Sequence, residues 1–317
     1  MIQTKHQEHQ RPPFIQWIFS LPLGGQALVC LFISVLSGII LGLQYNGATP
    51  FYSTATIELV VPFGSFWRAV HYYSSQAFFL LLCCHLVHSL WKDNTSFSRS
   101  AWLRLSASIP VALLLLFTGY ILRGDATGVA AGAIAENISL TIPVLGKLIN
   151  SLLFDLQSTG IQKVYTNHFI GLMALGGFCV WPHLRRYTTH WRNHMLLTLV
   201  ILLTSVIMVT PMEPERMGLL HIAGPWFFLG LQEALRFLPP FWAGVILPAS
   251  LFLPLLLLPS RGTIRKCLLL YLLLWLVAYG LLTWSSYTRV HPQAQDSQQL
   301  IPTSTPEVQV VIPDALQ

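Results

Sequence analysis

Apolar residues in this chain come in unbroken runs, without the two-residue alternation of a strand or the narrow stripe of a soluble amphipathic helix. Seven such runs stand out, at approximately 24–45, 69–91, 103–123, 167–187, 194–210, 240–259 and 265–284. Each is close to the ~20 residues that a helix needs to cross the hydrocarbon layer of a bilayer. The absence of alternation argues for a helical bundle over a barrel. The stretches between the runs have characters of their own. Phe14 to Leu21 is short and amphipathic and is expected to lie in the membrane interface. The loop from Gly124 to Asn167 is long and moderately apolar, and Pro143 interrupts its segment Ile134 to Leu153, which predicts two short surface helices. A second semi-apolar loop runs from Pro211 to Pro239, and after Trp284 the chain turns polar, as a disordered tail or a docking strand would. The expected organisation is therefore an N-terminal segment at 1–23, a four-helix unit at 24–193, a three-helix unit at 194–284 and a polar tail at 285–317.

Composition agrees with the pattern. Of 317 residues, 54% are hydrophobic and 9% charged, and mean hydropathy is +0.59. Soluble domains carry roughly a quarter charged residues, so this is an integral membrane protein. The net charge of +6 could suggest an acidic partner, but topology explains it without nucleic acid. With the N-terminus inside, eleven Lys and Arg fall on the inner side and seven on the much longer outer loops. Acids reinforce this orientation, since only Glu8 and Asp93 fall inside. Trp67, Trp226 and Trp242 would then form an outer belt, and Trp91, Trp102, Trp181 and Trp191 an inner one. The expectation is a multi-pass protein of the inner (cytoplasmic) membrane with its C-terminal tail outside. All five cysteines sit in apolar runs as small hydrophobes. No CxxCH occurs, so no covalent c-type haem is expected.

Within two of the runs lie two pairs of histidines, His71/His85 and His168/His183. A histidine in a membrane helix is costly unless it faces the bundle interior and has a partner there. Fourteen residues separate His71 from His85, about 21 Å along a helix. Both rings leave from nearly one face, because fourteen steps of ~100° fall ~40° short of four turns. His168 and His183 are fifteen apart, ~60° past four turns and still broadly on one side. Both helices would run from outside to inside, which sets His71 level with His168 and His85 level with His183. Imidazoles meeting in pairs at two depths suit two bis-histidine haem b groups, six-coordinate centres for electron transfer. The reading from residues alone is an all-α integral membrane protein with a four-helix di-haem bundle followed by three further spans. A haem-free transporter relaying protons through these histidines is the rival from another class, and a non-catalytic assembly or haem-sensing subunit is a third.

Motif by motif, the chain resembles the cytochrome b/b6 family, the membrane core of quinol-oxidising bc-type complexes. The first run reads GGQALVCLFISVLSG, with Gly24 and Gly38 spaced as the family's glycine pair, where a missing side chain lets a macrocycle edge approach the backbone. In FWRAVHYYSSQAFFLLLCCHLVHSLW, Arg68 precedes His71 by three, like the family's arginine near a haem propionate. Gly119 in GYIL matches a third glycine, and the loop through NISLTIPVLG keeps the family's length. NHFIGLMALGGFCVWPHLRR has the fifteen-residue histidine spacing of the b6 branch, with Arg185 or Arg186 placed for an inner propionate. GPWFFLGLQEALRFLPP resembles the segment around the family's PEWY tetrapeptide, and the last three runs look like the smaller subunit of the b6-type complex fused to the core. The resemblance covers roughly 14–260. It implies quinol oxidation on the outer side, electrons crossing to an inner quinone, partner subunits of Rieske-type iron–sulfur or c-type cytochrome kind, and a homodimer.

The chain departs from the family at several points. PEWY has become Gly224-Pro225-Trp226-Phe227, losing the glutamate associated with the quinol proton. The PWG or PWD after the third run is Arg123-Gly124-Asp125, keeping only the aspartate, and the fourth glycine is Leu105. Pro22 stands where the b6 branch carries its covalent-haem cysteine. A quinol site needs a base within hydrogen-bond reach of each hydroxyl. Candidates are Asp125, Glu233 and His221, with Glu213 and Glu215 near the same loop. These departures favour, as a second reading, a non-bifurcating conduit between quinol and a multihaem c-type cytochrome. His88, one turn after His85, would touch an inner propionate or a quinone.

Overall fold

A computed structural model describes residues 22–91, 98–215, 222–259 and 262–299. The expected interfacial helix Phe14 to Leu21, His221 and the end of the tail lie outside these residues. Among the described residues the chain is all helix and turn, with no strand.

Helix α1 (Leu23–Gly42) follows Pro22, and a short turn leads to α2 (Pro50–Leu59), which has proline in its first turn. Helix α3 (Gly64–Trp91) carries the first histidine pair, and α4 (Arg99–Ile121) starts from Ser98, whose side chain accepts from the Ala101 N–H. Gly124, at φ +68°, ends that helical path. Asp125 then caps α5 (Ala126–Leu140) by accepting from Gly128 N–H at 2.8 Å. A turn holding Pro143 separates α5 from α6 (Gly146–Leu153), so the long loop contains two helices as its sequence predicts.

The next span, α7, is the run 162–184 in three pieces: Gln162–Thr166, a π-turn at Asn167–Gly171, and Leu172–Leu184. A 3-10 turn, Trp191–His194, enters α8 (Met195–Ile207). After the loop comes short α9 (Leu229–Ala234), then α10 (Leu247–Leu256) behind a π-turn, and α11 (Gly262–Gln299). Helix α11 continues past Trp284 to Gln299, beyond the point where composition turns polar. Glu233 receives Arg289 at 2.5 Å and Ser285 at 3.3 Å, which ties that extension to α9.

Helices α1, α3, α4 and α11 are long and apolar enough to cross a membrane, while Trp191–Ile207 and Trp242–Leu256 are apolar but shorter. Together with the composite α7, these are the seven runs of the sequence. Large apolar side chains such as Leu196, Val206 and Leu281 stand exposed on the outside, a surface that suits acyl chains. Inside, α1 packs chiefly on α3 and α4 on α7, whereas α3 and α7 are not principal packing partners. Small buried residues, Gly25, Ser34, Ser37 and Ser74 among them, let the helices approach. Ile201 of α8 joins Val29, Cys30, Ile33 and Val70 in one core, and Leu255 and Leu258 pack beside Trp102 in another. The C-terminal helices thus lie directly on the four-helix unit.

Candidate functional site

His71 and His168 meet across the bundle with ring centroids 6.2 Å apart, and His85 and His183 with centroids 6.4 Å apart. The two pairings share one chain order, so α3 and α7 run parallel. A metal between two imidazoles needs a bond of about 2 Å to each nitrogen, and with roughly 1 Å more to each ring centre the centroids stand about 6 Å apart. Both gaps fit that geometry.

The π-turn explains why fourteen- and fifteen-residue spacings coincide. Leu172 N–H bonds to Asn167 C=O, an i→i+5 link that takes up one residue more than an α-turn. His168 lies inside this turn, so four turns of α7 hold fifteen residues where four turns of α3 hold fourteen.

Glycines prepare the outer pair. A Cβ at Gly38 would lie 2.9 Å from His71 Cε1, and one at Gly119 would lie 3.1 Å from His168 Cε1. Each glycine also bares the carbonyl four residues before it on its helix. His71 Nδ1 lies 2.8 Å from the Ser34 carbonyl, and His168 Nδ1 lies 2.9 Å from Thr118 Oγ1 beside the Leu115 carbonyl. An Nδ1–H so engaged leaves Nε2 as the free lone pair, the arrangement common to metal-bound imidazoles. Gly24 plays the spatial part for His85, with its Cβ position 3.0 Å from Cε1. What these glycines accommodate is the imidazole itself, not only a macrocycle edge as the sequence suggested.

A cavity of about 1130 Å³ extends from the outer pair to the loops, lined among others by Arg68, Tyr72, Tyr120, Arg123, Glu213 and Phe227. Arg68 Nη1 bonds Glu58 at 2.5 Å and Thr210 Oγ1 at 2.6 Å, and Nη2 bonds the Pro211 carbonyl at 2.7 Å. Arg185 and Arg186 are exposed beyond α7. Gln232 holds the Gly224 segment by accepting from Gly224 N–H at 2.8 Å and donating to the Ile222 carbonyl at 2.6 Å. Trp226 Nε1 donates to Gln76 at 2.8 Å, and Phe228 stacks on Phe117.

The candidate bases separate clearly. Asp125 is fully buried, pairs with Arg123, and accepts from Thr127 and from the N–H groups of Gly128 and Glu213. Glu233 faces Arg236, Arg289 and Ser285 and does not line the cavity. Neither carboxylate has an open edge toward a ligand, because each is occupied by structural partners. Sequence reasoning missed Ser34 and Thr118, whose part rests on which helix the histidines face, and did not rank Glu213.

The family model for cytochrome b/b6/petB matches residues 7–184. A cytochrome b6 of Heliobacterium modesticaldum is 28% identical over 181 residues, 55% of this chain and 84% of the relative. A cytochrome b6 of Heliomicrobium gestii is 28% identical over 160 residues, 48% of this chain and 75% of the relative. A chain of a hyperthermophilic respiratory Complex III superposes with a TM-score of 0.62 over 86% of this chain and 83% of that one, at 20% identity. That likeness is one of fold.

Proposed function

The chain belongs to the cytochrome b/b6 family, and from that membership we propose that it is the membrane cytochrome b subunit of a quinol-oxidising bc-type complex. His71 with His168 would hold one haem b at the outer level, and His85 with His183 a second at the inner level. The observation that carries the reading is the pair of imidazole gaps, 6.2 and 6.4 Å between centroids at two depths. A haem held between two imidazoles would supply one-electron transfer in place of oxygen chemistry.

The protein's own groups prepare that role. The Ser34 carbonyl and Thr118 engage Nδ1 of the outer imidazoles, which would leave both Nε2 atoms free for iron. Arg68 lines the same cavity and would share its guanidinium between Glu58 and a propionate. Arg185 would serve the inner group. Quinol would bind in the outer cavity between the 124–146 and 211–239 loops, walled by Tyr120 and Phe227. One electron would leave to an iron–sulfur or c-type subunit, and the other would move inward to a quinone. The excess of Lys and Arg on the 92–104, 185–192 and 261–266 loops supports an inside location for them.

A second reading keeps the wire without division of the electrons, delivering both to one multihaem cytochrome. Gly224-Pro225 in place of the proline and glutamate of PEWY favours it. Rapid oxidant addition to the purified complex with quinol and an inner-site inhibitor decides between them. Transient haem reduction on adding oxidant is the expected result. Its absence would leave the undivided conduit, and a preparation without Soret absorption would leave the histidine relay.

A further inference from the structure

Seven acids have described side chains, and six are committed to a partner. Glu58 pairs with Arg68, Asp125 with Arg123, Asp155 with Lys163, and Glu233 with Arg236 and Arg289. Glu136 receives the Asn150 amide at 3.0 Å, and Glu215 receives the Tyr52 hydroxyl at 3.1 Å. Glu213 differs. Among the described residues its carboxylate takes no hydrogen bond or ion pair, and it lines the cavity that opens onto His71 and His168.

Its place is set by the backbone. Glu213 N–H donates to Asp125 Oδ2 at 3.0 Å, and Ala126 N–H donates to the Pro214 carbonyl at 3.0 Å. This double clamp fixes 213–214 against the first turn of α5 and leaves the Glu213 side chain to the cavity. Tyr72, Tyr120 and Arg123 line the same space. Arg123 is already paired with Asp125 and Thr127 and lies 4.5 Å from the centre of the Tyr120 ring, so it does not neutralise Glu213. Two residues on, exposed Glu215 with its Tyr52 bond continues the path toward solvent.

We propose that Glu213 is the proton acceptor of the outer quinol site, replacing the glutamate missing from Gly224-Pro225. The quinol O–H bond breaks heterolytically, the proton passes to a Glu213 carboxylate oxygen, and the electron pair stays on the quinol oxygen. The resulting quinolate would give up two electrons singly, one toward a haem held by His71 and His168 and one to the one-electron carrier of a partner subunit. Its remaining hydroxyl proton would leave to water on the outer side, which completes the quinone. A proton on Glu213 leaves outward past Glu215. This assignment rests on the outer-site reading of the proposed function.

The test is stopped-flow haem reduction by decylubiquinol or a menaquinol analogue in the purified complex, comparing wild type, Glu213→Gln, Glu213→Asp and Glu233→Gln. Glu213→Gln should slow reduction ~100-fold while the haem spectra and content stay at wild-type values. Glu213→Asp should recover most of the rate, and infrared difference spectra should lose a protonated-carboxyl band only in Glu213→Gln. Wild-type rates in Glu213→Gln would overturn the proposal and leave the function standing. A wild type that neither quinol reduces would overturn both.

Discussion

At the scale of single residues, the pairing of histidines by depth yields separable outcomes. His85→Leu should remove the inner haem alone, giving half the pyridine haemochrome of the wild type. Gly38→Val should instead deplete the outer haem, because even its first carbon falls 2.9 Å from His71 Cε1 and the ring must leave the Ser34 carbonyl. Overpacking of this kind costs ~1–3 kcal/mol. Equal loss of both haems in either variant would contradict the depth assignment. The four histidines were legible in the sequence because imidazoles are rare in apolar runs and helical spacing fixes their face. Arg68 was legible in position but not in its bonds to Glu58 and Thr210, which come from elements ten and more than a hundred residues away. Asp125 and Glu233 stood in the sequence as candidate bases, and the partner that occupies Glu233, Arg289, lies 56 residues away and comes to it only in the fold.

At the scale of elements, the seven runs and the two loop helices followed from length, apolarity and Pro143. The π-turn at Asn167–Gly171 did not, since nothing in its composition distinguishes a turn of five residues from one of four. It makes a testable difference. Removing Ile170 should turn α7 into a regular helix with fourteen-residue histidine spacing and keep both haems. Inserting one alanine after Gly176 should rotate His183 by ~100° and abolish the inner haem. Haemochrome content and redox titration of both variants check this, and loss of both haems on removing Ile170 would refute the compensation. Helix α11 shows the opposite failure of sequence reading. Polar composition after Trp284 reads as tail, yet bonds from Ser285 and Arg289 to Glu233 hold that part of the helix to α9.

For the whole molecule, the orientation argued from charge gives a direct experiment. A membrane-impermeant maleimide should label Lys147→Cys in intact cells, whereas Thr188→Cys should react only after the membrane is opened. The reverse pattern would invert the topology and move the proposed quinol site to the other face. The bundle also divides naturally into an α1–α3 half and an α4–α7 half, with α3 and α7 facing each other mainly through their histidines. Ligands that bind only the assembled form stabilise it by mass action. With haem held at both levels as proposed, porphyrin delivery would be an assembly step as well as a loading step. Cells starved of iron or of tetrapyrrole precursors would hold this polypeptide as two loosely apposed hairpins, open to membrane proteases until the pigment arrives to close the seam.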